Sequence, residues 1–188
     1  ISYKPASDVH SSTAGYDSLT LTLKGTGVDS DSLSTLSFFV DIESVNDAPM
    51  ISAPDSLSTY EDTELRLFSL SVGDVDLDNV HYGNLPLTVS LSVGHGTIAR
   101  SSTEGLSFIS GSTISPHSHS GLTFTGTVDS INKALSPLSY LPSANWNSIA
   151  EYDSLDIEVS DGGNVGVGGE KITVTSVPIY VSPVNDKP

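Results

Sequence analysis

The feature that most restricts what this chain can fold into is that it repeats itself. Ile1-Ser2-Tyr3 returns as Leu138-Ser139-Tyr140, Pro5 as Pro142, Tyr16-Asp17-Ser18-Leu19 as Tyr152-Asp153-Ser154-Leu155, and Val45-Asn46-Asp47 as Val184-Asn185-Asp186. Separated blocks in nearly constant register mark a repeat of about 139 residues, and each repeat must bury its own apolar face or share that of a neighbour. The expected division is residues 1–49 as the C-terminal part of a first repeat and residues 50–188 as a complete second one.

Within the complete copy the apolar period is two. Leu87, Val89, Leu91 and Val93 alternate with polar residues, as do Leu155, Ile157 and Val159, and Leu122 with Phe124; such alternation reads as half-buried strands. Ile172 and Val174 keep one phase while Val177, Ile179 and Val181 keep the other, with Pro178 between, which predicts a bulge on an edge strand. The first copy carries the same shift between Leu33 and Phe38, Val40 and Ile42. Ser130–Leu135 is the one helical candidate, with Asp129 as its cap and Ile131, Ala134 and Leu135 on one face. Short strands, turn residues and almost no helix predict an all-β fold of antiparallel Greek-key β-sandwich repeats in tandem. In the partial copy, too few strands remain to cover Leu19, Leu21 and Leu23, so the segment is expected either to belong to a longer chain that carries the rest of that repeat or to be completed by a neighbouring repeat of the same or another chain through strand addition.

Charge narrows the function. Lys and Arg number 7 against 23 Asp and Glu, for a net charge of −16. No basic cluster exists to hold phosphates, which argues against nucleic acid. No run approaches the ~20 apolar residues of a membrane span, so no membrane insertion is expected. Cysteine is absent, which removes disulfides, thiolate metal sites and a thiol nucleophile. No basic-then-apolar leader opens the segment, so any signal or anchor is expected outside it.

The acidic residues are grouped. Asn46-Asp47-Ala48-Pro49 closes the first copy, Glu61-Asp62 opens the second, and Asp74-x-Asp76-x-Asp78-Asn79 follows a strand as a turn. Ca2+ takes six to eight oxygens, and alternate carboxylates of an irregular loop can converge on one ion that relieves their repulsion. Turn chemistry alone accounts for an isolated Asp-x-Asp, so the argument rests on the combination.

These residues, together with Val72-Gly73-Asp74-Val75-Asp76, Gly94-His95-Gly96-Thr97, Leu122-Thr123-Phe124-Thr125-Gly126-Thr127 and Val159-Ser160-Asp161-Gly162-Gly163, resemble the cadherin-like tandem repeats of large surface adhesins and matrix proteins, in their proteoglycan-type variant. The resemblance implies an extracellular or cell-surface protein that holds Ca2+ between repeats. Carried over by position, it implies Asn46, Asp47, Glu61, Asp62, Asp74 and Asp76 as ligands, with Asp78 and Asp161 as further ones. In the first copy Gly25-Thr26-Gly27 stands where Asp161-Gly162-Gly163 stands in the second, so that acid is lost there; Asp29 and Asp31 are candidate substitutes.

The expected role is a rigid, non-catalytic spacer, with an adhesive module recognising a glycan or protein, or a strand-complemented filament subunit, as the alternatives. His10, His81, His95, His117 and His119 are scattered with no spacing that makes a Ser-His-Asp site. His117-x-His119 offers at best two metal ligands. Trp146 reads as a core plug and His95 as part of a turn.

Overall fold

The computed structural model describes residues 2–11, 15–25, 33–77, 84–110 and 119–185. Thirteen strands and one helix are described: β1 (Asp17–Lys24), β2 (Leu33–Val40), β3 (Met50–Ser52), β4 (Leu57–Tyr60), β5 (Leu65–Leu67), β6 (Ser71–Gly73), β7 (Leu87–Val93), β8 (Gly96–Ala99), β9 (Leu106–Ser110), β10 (Gly121–Gly126), α1 (Val128–Leu135), β11 (Leu138–Pro142), β12 (Asp153–Ser160) and β13 (Ile172–Ser182).

From β3 onward the chain is a β-sandwich. One layer is a six-stranded sheet in the order β4-β13-β12-β7-β10-β9, and the facing layer is the three-stranded sheet β5-β11-β8 with the short pair β3-β6. The chain crosses between layers from β7 to β8 and from β11 to β12, so non-consecutive strands become neighbours. All pairs are antiparallel except β4 with β13, which run parallel. Alternation decides which side faces inward: Leu87, Val89, Leu91, Val93, Leu122, Phe124, Leu155, Ile157, Val159, Val177, Ile179 and Val181 form the core with Ile98, Leu138 and Tyr140 from the opposite layer. The gain is about 25 cal/mol per Å² of apolar surface removed from water.

Three sequence expectations are corrected. β13 runs unbroken, with β12 paired from Asp153↔Ile179 to Ser160↔Ile172 and no bulge. Thr173 and Thr175 continue the inward phase of Val177, while Ile172 and Val174 point outward and stay exposed. The apparent phase shift is therefore a change of residue type on one continuous strand, and β2 pairs with β1 equally unbroken. Pro178 falls just before β4 begins to pair at Ile179, where the strand is locally an edge. A bulge does occur elsewhere, in β9 at Ile109, which is skipped between the pairs Thr123↔Ser110 and Phe124↔Phe108 with β10. The helix, finally, is capped by Thr127, whose hydroxyl accepts from Ser130 N at 3.3 Å, rather than by Asp129. Thr127 keeps an extended backbone, and Asp129 sits in the first turn, where its charge complements the helix dipole.

β1 and β2 form a hairpin of their own. Its details recur in the sandwich. Asp17↔Val40 and Leu19↔Phe38 occupy the register of Asp153↔Ile179 and Leu155↔Val177. Ser11 Oγ accepts from Ile42 N at 2.7 Å, as Ser148 Oγ accepts from Val181 N at 2.8 Å. Asp8 and Asn145 both take a left-handed backbone, at φ 58° and 55°.

Candidate functional site: the acidic ends of the sandwich

The loop after β2 docks on the sandwich by its backbone. Val45 bridges Val167 in parallel, Asn46 N donates to Val167 O at 2.8 Å and Val167 N to Ser44 O at 2.9 Å. This close approach needs a glycine nearby. Gly166 has φ +72°, and a Cβ there would stand 2.7 Å from Asn46 N and 2.8 Å from Ser44 Oγ. We expect Gly166→Ala to cost about 1–3 kcal/mol in backbone strain and to release the 44–47 segment, seen as faster hydrogen exchange at Asn46 and Val167 with the sandwich core unchanged.

Side chains continue the docking. The Asn46 amide is buried and donates to Asp161 Oδ2 at 2.6 Å and to Gly169 O at 2.8 Å. Asp161, just past β12, also accepts Gly163 N at 2.7 Å and Lys171 N at 2.9 Å on Oδ1. Both its oxygens thus have protein donors, and it serves as the socket for Asn46. On the other side Asp47 N donates to Asp76 Oδ2 at 2.7 Å, and Asp76 N to Asp74 Oδ1 at 2.9 Å, in the turn that follows β6. Asp74 is fully buried and Asp76 nearly so, whereas Asp47 is exposed. A hollow of about 180 Å³ opens here, lined by Asp8, His10, Glu43, Asp47 and Asp76 among others.

Glu61 and Asp62 lie elsewhere. Glu61 N donates to Ser182 O at 2.9 Å, its Oε1 accepts from Val184 N at 2.5 Å and its Oε2 from Asn147 Nδ2 at 3.2 Å. Asp62 Oδ1 accepts from Asn145 N at 3.0 Å. These contacts gather past the Ser182 end of β13, while Asp161 neighbours its Ile172 end. The length of β13 between them is roughly 33 Å at 3.3 Å per residue. The eight residues singled out in the sequence therefore divide: Asn46, Asp47, Asp74, Asp76 and Asp161 gather at one end, and Glu61 and Asp62 at the other beside Val184 and Asn185. Asp78 lies outside the described residues, as do Asp29, Asp31, His81, His117 and Asp186.

Among the described residues, no group of three or more Asp, Glu or His side chains is arranged to hold a metal ion. What the first end collects around the hollow is the carboxylates of Asp8, Glu43, Asp47 and Asp76 beside the His10 imidazole. Asp8, His10 and Glu43 are the members that sequence reasoning missed. Their only signal was position: Asp8 and His10 correspond to Asn145 and Asn147, which flank Glu61 at the other end.

Of the other described histidines, His95 and His119 have structural surroundings. His95 stacks on Trp146 at 4.4 Å and 9°, and its Nε2 lies 3.3 Å from Glu151. Trp146 packs against the core from a half-buried position. His119 continues the sheet, with Ile98 N donating to its carbonyl at 2.9 Å. No helix among the described residues is long and apolar enough to cross a membrane.

No family model matches the chain, and no curated protein matches it. Among solved structures it is similar to a cohesin module from a Clostridium perfringens ATCC13124 family 33 glycoside hydrolase. That similarity covers 74% of this chain and 100% of the other at 12% identity, with a TM-score of 0.37.

Proposed function

We propose that the chain is a non-catalytic, calcium-binding spacer of an extracellular or cell-surface protein, built from cadherin-like repeats that Ca2+ stiffens at their joints. The observation that carries this reading is the joint itself, where Asp47, Asp8 and Glu43 from the first 49 residues and Asp76 from the sandwich surround one hollow. Like charges gathered in this way repel, and a divalent cation relieves the repulsion. Asp47, Asp74 and Asp76 would hold the ion, with Asp161 acting through Asn46.

Extracellular modules bind calcium at about 10⁻⁴ to 10⁻³ M. Calcium at a hundred times its Kd stabilises the native state by about 2.7 kcal/mol. Calcium should therefore raise the melting temperature of the full chain by roughly 5–10 °C at this size, reversed by chelator. Asp76→Asn should weaken the calcium response at least tenfold. Glu61→Gln should leave the response at this joint unchanged, because Glu61 belongs to the opposite end. A melt indifferent to calcium would sink the reading.

A second reading, adhesion to a glycan or protein, is favoured by a shallow hollow of about 520 Å³ on the outer face of the six-stranded sheet. Ser90, Ser92, Thr123, Asp156 and Glu158 line it. Under that reading Glu158→Ala abolishes ligand capture and leaves the calcium response intact.

A further inference from the structure

The β1–β2 hairpin presents an apolar face with nothing described against it. Leu19, Leu21, Leu23, Leu36 and Phe38 share that face by register, and each is 40% exposed or more. Their counterparts in the sandwich show what such a face takes. Leu155, Ile157, Val159 and Val177 are buried, and β12 is paired on both edges, with β13 on one and β7 on the other. Among the described residues β1 pairs with β2 alone.

A second, polar observation points to the same occupant. In the sandwich the buried Asp153 carboxylate accepts Tyr140 Oη at 2.8 Å, Ser154 N at 2.9 Å, Gly94 N at 2.8 Å and His95 N at 2.9 Å. The last two come from the turn between β7 and β8. In the hairpin Asp17 accepts Tyr3 Oη at 2.5 Å and Ser18 N at 2.8 Å, the counterparts of the first two bonds, and the carboxylate is otherwise exposed. The bond from Tyr3 holds the Asp17 carboxyl below the ordinary carboxylate range. Half of a four-donor socket is filled.

We propose that β1–β2 is a docking surface for one kind of partner, a strand–turn–strand segment patterned on Leu87–Ala99. Its alternating apolar strand pairs along the open edge of β1 and extends the face of Leu19, Leu21 and Phe38, and its second strand crosses over that face as β8 crosses over β12 with Ile98 in the core. Its turn, an x-Gly-His-Gly or similar sequence with two adjacent free N–H groups, donates both to Asp17. Two features select the occupant: backbone pairing along the edge and the turn geometry that Asp17 reads. A helix or a flat apolar ligand offers neither. The inference rests on the internal repeat and not on calcium.

The test tethers a Leu87–Ala99 copy to Ile1 of the full chain through a fifteen-residue Gly/Ser linker. Such a linker spans roughly 22 Å and holds the segment at millimolar effective concentration. Hydrogen exchange and methyl NMR are read in calcium-free and calcium-loaded buffer alike. The expected result is at least tenfold slower exchange at β1 amides facing away from β2, shifted Leu21 methyls, and loss of that protection in Asp17→Ala. Asp17 is exposed, so the variant keeps the fold; Leu21→Asp, which spoils the apolar face instead, should abolish protection independently. Unchanged exchange, or protection indifferent to Asp17→Ala, overturns the proposal. So does self-association of the untethered chain through the same face, relieved by Leu21→Asp, since a second copy would then be the occupant.

Discussion

Asp153→Ala is expected to lower the melting temperature of the full chain by roughly 6–20 °C. The carboxylate is buried, and it ties together four donors from three separate segments: the β7–β8 turn through Gly94 N and His95 N, β11 through Tyr140 Oη, and the start of β12 through Ser154 N. Removing it leaves a buried phenol and buried amides without their acceptor, at about 3–5 kcal/mol in total, and a domain of this size loses roughly 2–4 °C per kcal/mol. Space around the turn leaves no escape. A Cβ on Gly96 would stand 2.6 Å from Leu141 O and 2.7 Å from the Tyr140 ring, so the turn cannot shift toward β11 to find another partner.

The same network sets a pH dependence. Burial, then the hydrogen bond to Asp153, pushes the Tyr140 phenol well above its ordinary value. A group whose folded pKa lies above the unfolded one contributes stability that is complete below the unfolded value, about 10 for tyrosine, and is lost as pH rises beyond it. Chemical denaturation should therefore show stability falling above about pH 10, and Tyr140→Phe should flatten that fall while costing about 1–2 kcal/mol at neutral pH. A variant that retains the full alkaline decline would place its origin elsewhere.

The second large effect concerns the linker. Asp161→Ala should destabilise the chain by about 2–4 kcal/mol, because Gly163 N and Lys171 N lose their acceptor along with the Asn46 amide. Asn46→Ala alone should cost about 1–2 kcal/mol. Since the two share one buried hydrogen bond, the double variant should be less destabilised than the sum, by about 1 kcal/mol or more. Strict additivity would mean that Asn46 is held by Gly169 O and its backbone, and that Asp161 supports only its own turn.

Much of the architecture could be read before any coordinates. Alternation located β7, β10 and β12 correctly because each has one face on the core, and a pleated strand converts that requirement into a period of two. β13 misled for the same reason. Thr173 and Thr175 face inward while Ile172 and Val174 face out, so the apolar code inverted while the backbone ran straight. Near the end of the ladder, exposed isoleucine and half-buried threonine cost little, and nothing local records the inversion. The helix was legible from its apolar face, but its cap went to Thr127 because the backbone turns into the helix two residues earlier than a cap at Asp129 requires.

The acidic site divides along the same line. Asn46, Asp47, Glu61, Asp62, Asp74, Asp76, Asp78 and Asp161 were singled out from sequence as one set. The fold sends Glu61 and Asp62 to the far end of the sandwich, since β4 runs parallel to the last residues of β13 and delivers Tyr60 opposite Ser182. That parallel pairing has no signature in a single strand's composition. Asp8 and Glu43, by contrast, sit in unremarkable loop sequence and reach the hollow only because the docked linker brings them there.

By itself the sequence determined the repeat, the alternating strands and the choice of oxygen donors, all of which are encoded by residue type and spacing along the chain. Only the tertiary structure decided which acids share an end, which edge of β1 is open and how much of the Asp17 socket is filled. Those depend on contacts between segments tens of residues apart, where the deciding quantity is the space and the hydrogen-bond partners that one segment leaves for another.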